Sequence, residues 1–85
     1  MVALMSSRKA HGPAIRGIRE AMGLSLGDVS AKVGSKASGV KISVGYLSRI
    51  ERGQRSPSPR TIRAIAVALG VTIDQITYTV PDVAA

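Results

Sequence analysis

Apolar residues recur at helical spacing in four blocks of this chain, separated by glycine, serine and proline. Pro13 fits an opening helical turn, Ile15, Ile18 and Met22 form one stripe, and Gly23 stops it. A second helix follows, with Ser25 as N-cap, Asp28 in the acid position of a capping box, Leu26, Val29 and Val33 on the buried side, and Gly34 as its end. In the segment 43–53, Leu47 and Ile50 point one way, whereas Val44, Gly45, Ser48, Arg49 and Arg52 fall on the opposite side. Ser43 supplies an N-cap oxygen and Gly53 sits where a left-handed stop belongs. Ser58 caps and Pro59 starts a fourth helix, whose Ile62, Ile65, Ala66 and Leu69 face inward until Gly70. The run before it, 54–59, is not helix interior, because Pro57 lacks a donor and restricts its predecessor.

The rest of the chain lacks this regularity. Thr72 is placed to cap a fifth, short helix carrying Ile73 and Ile76. Thr77, Thr79 and Val80 are β-branched and Tyr78 is aromatic, so with Pro81 they predict a short strand or extended tail. Residues 35–41 form a Ser/Gly/Lys loop, long for a link between two small packed helices. Residues 1–11 hold a Ser-Ser-Arg-Lys cluster and no apolar period. The expected organisation is a flexible basic arm over 1–11, one helical domain over 12–76, and a strand or tail over 77–85.

Composition narrows the chemistry. With 85 residues there is room for one small domain, and with no Phe or Trp its core is built from aliphatic side chains. The lack of Cys removes disulfides and thiolate metal sites and suits a reducing, intracellular setting. His11 has no clustered partner and reads as a surface residue; no metal and no cofactor are expected. No clustered carboxylate pair, nucleophile with its base, or phosphate-cradling glycine loop points to an enzyme. The apolar residues near Met1 are too few for a signal h-region, and no run approaches the roughly 20 residues of a membrane span. A cytoplasmic protein of a bacterial cell, with no membrane contact, is the expectation. Twelve Lys and Arg against five Asp and Glu give a net charge of +7. Between Lys32 and Arg63 there are eight bases and one acid, Glu51, whereas no base follows Gly70. An anionic partner is implied, and the small, cationic outer face of the third helix fits entry into DNA.

Residues 46–53 with Arg55-Ser56-Pro57-Ser58-Pro59, and then 65–71, resemble the Cro and C1 repressor type of helix-turn-helix protein, the xenobiotic-response-element family. The resemblance covers about Ile15 to Ile76. It implies an all-α, five-helix, lambda-repressor-like DNA-binding bundle with an extended loop between helices two and three and a short extended C-terminal tail. Helix three would lie in the major groove of double-stranded DNA. Carried over by position, Val44, Gly45, Ser48 and Arg49 would face the bases, with Arg49 suited to bidentate bonding of guanine. Gly45 departs from relatives that carry an amide or hydroxyl there. Backbone phosphates would be met by Ser43, Tyr46, Arg52, Gln54, Arg55 and Arg60. Leu26 replaces a polar phosphate-binding residue. Arg19 and Glu51 match a structural ion pair. The implied role is a phage or bacterial repressor that occludes a promoter, with no small-molecule ligand expected, as a homodimer on a two-fold operator.

Four points stay open. The loop 35–41, where the family has a tight turn, reads as an inert insertion, an arm whose Lys36 and Lys41 follow the DNA backbone, or a protein contact. The segment 77–80 would pair across a two-fold axis or cover its own core. The rival to a DNA-binding role is an antitoxin or adaptor working through protein contacts, which steep salt dependence would exclude. The end, Val83-Ala84-Ala85, looks like the small apolar termini read by bacterial ATP-dependent proteases.

Overall fold

The computed structural model describes residues 6–36 and 39–81. The remainder of the basic arm (1–5), two loop positions (37 and 38) and the end carrying Val83-Ala84-Ala85 lie outside the described residues. In chain order the elements are β1 (Ser6–Ala10), α1 (Gly12–Ala21), α2 (Leu26–Lys36), α3 (Val44–Glu51), α4 (Pro59–Leu69), a single 3-10 turn (Ile73–Ile76) and β2 (Thr77–Pro81).

The predicted caps account for most helix boundaries. Ser25 and Asp28 form the full reciprocal box: Ser25 N–H donates to Asp28 Oδ2 at 2.9 Å, and Asp28 N–H to Ser25 Oγ at 3.0 Å. Ser58 Oγ accepts from Thr61 N–H at 3.3 Å, and Gly70 closes α4 in the left-handed region at φ 69°. Helix α1 begins one residue earlier than Pro13, because His11 is its N-cap and accepts from Ala14 N–H through Nδ1 at 3.0 Å. Helix α2 runs through Gly34 to Lys36. Gly34 is absent from the positive-φ glycines among the described residues, so it terminates nothing; its helix penalty of about 1 kcal/mol is outweighed by the burial of Val33 beside it.

Ile15, Val29, Val33, Leu47, Ile50, Ile65 and Ile76 are essentially inaccessible to solvent and form the centre of the core. Each helix contributes at least one of them, so the four helices share one apolar interior. Met22, expected on the inward stripe of helix one, is instead 48% exposed, because α1 ends at Ala21 and Met22 occupies its C-cap.

The five-helix, all-α expectation is corrected: the protein has four α-helices and a small two-stranded sheet. The stretch after Thr72 makes one 3-10 turn, and the β-branched Thr77, Thr79 and Val80 then favour extended backbone. Their partner is β1, within the segment expected to be an arm. The two strands are antiparallel with Arg8 opposite Thr79, Lys9 opposite Tyr78 and Ala10 opposite Thr77. An isolated two-stranded ribbon is marginal in water. This one is fixed at its base: His11 N–H donates to Ile76 O at 2.8 Å, Ala10 packs on the core, and the His11 and Tyr78 rings meet edge to face at 5.9 Å.

Asp28 titrates below the usual carboxylate range, chiefly because Ser25 N–H bonds the charged form and then because of the Ser25 hydroxyl. Its contribution to stability is therefore complete above the unfolded-state carboxylate pKa of about 3.9 and is lost as pH falls through the lower folded value. Asp28→Asn, which keeps an acceptor for Ser25 but removes the titration, is expected to flatten the acid limb of the stability curve measured by urea unfolding between pH 5 and about pH 2.

Candidate nucleic-acid interface

Ser43 Oγ accepts from Tyr46 N–H at 3.0 Å and starts α3, and Leu47 and Ile50 anchor its inner side. The outer side is left to solvent. Val44 is 45% exposed, Gly45 and Arg49 are exposed and Ser48 is half-buried, so the four residues expected to face bases share one surface. A Cβ placed on Gly45 would meet nothing within 4 Å, so packing inside the protein does not require glycine there.

The flanking polar residues sit on supports of different kinds. Ser43 is exposed and Tyr46 lies half-buried against the core. Arg52 is exposed, and its Nε donates to Ser48 O at 3.4 Å. Gly53, at φ 75°, turns the chain so that Gln54 N–H donates back to Arg49 O at 2.8 Å, and Gln54 and Arg55 emerge exposed. Lys36 is the exposed last residue of α2.

The long loop is pinned at its far end. Val40 and Ile42 are buried, and Ser30 Oγ donates to Ile42 O at 2.5 Å. Lys41 lies between them and is exposed. Arg60, exposed at the start of α4, crosses the loop at Gly39: a Cβ there would lie 2.7 Å from its Nη2, and Gly39 has φ 78°. Sequence reading missed the two anchors, although the alternation Val40-Lys41-Ile42 carries the signal of an extended segment with one buried side.

The expected ion pair is formed. Arg19 Nε donates to Glu51 Oε2 at 2.7 Å and Nη2 to Oε1 at 2.9 Å, while Nη1 donates to Leu24 O at 2.9 Å. The side chains are 11% and 5% exposed. Glu51's hydrogen bonds raise the Arg19 pKa above its ordinary value against the opposing pull of burial. A residue that sequence reading passed over completes the contact: buried Gly12 faces the end of α3 so closely that a Cβ on it would lie 2.3 Å from Glu51 O. Among the described residues, no group of three or more His, Cys, Asp and Glu gathers to hold a metal, and no helix is long and apolar enough to cross a membrane.

A helix-turn-helix family model matches residues 15–76, which take in α1 from Ile15 onward, α2 to α4 and the 3-10 turn. The chain belongs to the helix-turn-helix family. It is 36% identical over 69 residues to the transcriptional regulator ClgR of Mycobacterium tuberculosis, across 81% of this chain and 55% of that protein. It is 36% identical over 62 residues to the HTH-type transcriptional regulator DdrOP3 of Deinococcus deserti, across 73% of this chain and 43% of that one. The chain thus spans about half the length of these curated relatives. The crystal structure of the restriction-modification controller protein C.AhdI from Aeromonas hydrophila is similar with a TM-score of 0.65 and 30% identity, covering 75% of this chain and 86% of that one.

Two substitutions test how α3 is held. Gly12→Ala forces a methyl group into the Glu51 carbonyl and is expected to destabilise the fold by about 1 to 3 kcal/mol, lowering the thermal midpoint by ~5 °C or more in calorimetry. Arg19→Met leaves the Glu51 carboxylate buried without its partner and is expected to cost about 3 kcal/mol in urea unfolding, with most of the loss restored by adding Glu51→Leu.

Proposed function

We propose that this chain is a sequence-specific double-stranded DNA-binding transcriptional regulator, acting as a small repressor that occludes a promoter. The observation that carries this reading is the outer face of α3, where Val44, Gly45, Ser48 and Arg49 stand together on a helix whose other side is locked into the core. Membership of the helix-turn-helix family and likeness to proteins named as transcriptional regulators support it.

In this reading α3 occupies the major groove and Arg49 reads guanine through its O6 and N7, with Val44 against a thymine methyl and Ser48 beside them. Gly45 lets the helix approach the bases closely, a role consistent with the open space around its Cα. Ser43, Tyr46, Arg52, Gln54, Arg55 and Arg60 contact the sugar-phosphate backbone and set the register. Of the three readings of the loop, the DNA-following one is favoured: burial of Val40 and Ile42 fixes Lys41 outward just before the Ser43 cap, and Lys36 stands at the other end. A homodimer on a two-fold operator belongs to the same proposal. Because β2 is bonded to β1 of its own chain along one edge, its outer edge is the side left for a second copy.

A binding selection on random duplex DNA tests the assignment. Wild type is expected to enrich one short motif, and Arg49→Ala to lose about 1 to 3 kcal/mol of discrimination at a guanine of that motif. Equal affinity and an unchanged motif for the variant would remove α3 from the role of reader.

A further inference from the structure

The ribbon is not part of the region that the helix-turn-helix model matches, yet it stands beside the turn that leaves α3. Its position follows from the packing of Gly12 on the Glu51 carbonyl, which brings the start of α1 against the end of α3. A shallow cleft of about 500 Å³ results, with His11, Pro13 and Tyr78 on one side and Gly53 on the other. Gly53 lies between Arg52 and the exposed Gln54 and Arg55.

The register decides which ribbon residues share a face with Tyr78 of this cleft. Lys9 is directly opposite Tyr78 and therefore shares its face of the sheet. His11, two residues on from Lys9, meets the Tyr78 ring edge to face, which places all three side chains on one side. All three are exposed, Tyr78 by 45%. Arg8, on the alternate face, forms an ion pair with Asp74. One face of the ribbon thus carries a cation, an imidazole and a phenol, and two of these, His11 and Tyr78, line the cleft with Gly53 of the 52–55 turn.

We propose that this face, Lys9 with His11 and Tyr78, is a second contact for the sugar-phosphate backbone of the duplex held by α3. The proposal rests on the DNA-binding reading above. Lys9 supplies the charge for a phosphate, Tyr78 lays its ring and hydroxyl against a deoxyribose-phosphate unit, and His11 holds the Tyr78 ring while capping α1. A duplex is the occupant that fits, because the cleft reaches Gly53 in the turn that carries Arg52 and Arg55, no acid is among the residues that line it, and Lys9 stands on the same sheet face as its Tyr78. A contact of this kind adds affinity and register but reads no base.

The test is the salt dependence of binding to the selected duplex, followed by fluorescence anisotropy over a range of potassium chloride, with the full chain. Loss of one phosphate contact lowers the slope of log K against log salt by about 0.9. Lys9→Ala is expected to show that loss with an unchanged sequence motif and thermal midpoint, and Lys9→Arg to restore the slope. Arg8→Ala removes the same charge from the same strand on the other face and is expected to leave the slope as it was. Equal slopes for wild type and Lys9→Ala, with Arg55→Ala lowering the slope, would overturn the ribbon contact while leaving the role of α3 intact. Equal losses for Lys9→Ala and Arg8→Ala would reduce the effect to net charge and overturn it too. If wild type binds no duplex at all, the DNA-binding reading fails first and the ribbon contact with it.

Discussion

The grip on the C-terminal end of α3 is the contact on which the arrangement depends. Helix α3 has eight residues, too few to persist alone in water, so its pose is set by its surroundings. Leu47 and Ile50 bury its inner side, but apolar packing alone leaves rotation and sliding weakly specified. The Arg19 guanidinium removes that freedom, because its planar fork bonds both Glu51 oxygens and the Leu24 carbonyl of the turn between α1 and α2. Gly12 adds a steric limit from the other direction, since only hydrogen fits between its Cα and the Glu51 carbonyl.

That grip has consequences at both margins of the surface. On one margin it seats the start of α1 against the end of α3 and carries the ribbon with it, through His11 N–H on Ile76 O and the ring contact with Tyr78. On the other, Ser30 holds the Ile42 carbonyl and Val40 and Ile42 enter the core, so residues 40–42 reach the Ser43 cap along a defined path. The mobile-looking Ser/Gly/Lys composition of 35–41 therefore conceals a fixed exit. The exposed cations near α3 stand on backbone that the core and these few hydrogen bonds position, as the proposed contact with a repeating polyanion requires.

Local chemistry made part of this legible. Ser25 with Asp28, Ser43, Ser58 and the left-handed Gly53 and Gly70 mark helix ends through contacts within a few residues, and each does so in the folded protein. Gly34 shows where the same reasoning fails: a glycine stops a helix when the chain needs positive φ, and at Gly34 the burial of Val33 keeps the helix going. Met22 failed for a related reason, since periodicity continues a stripe past the point where the backbone leaves the helix. The ion pair of Arg19 and Glu51 came from family resemblance, because residues 32 positions apart give no local sign of contact.

By itself the sequence determined the four helices, most of their caps, the inward and outward faces of α3 and the concentration of positive charge around it, all of which follow from spacing, composition and short-range hydrogen bonding. Tertiary structure alone decided that β1 and β2 pair, since strand pairing joins opposite ends of the chain and neither strand specifies its partner. It also decided that Gly12, an unremarked residue before a proline, touches Glu51, and that Lys9 and Tyr78 share a face beside Gly53. Those facts depend on how elements stack, a property of the packed core and not of any one segment.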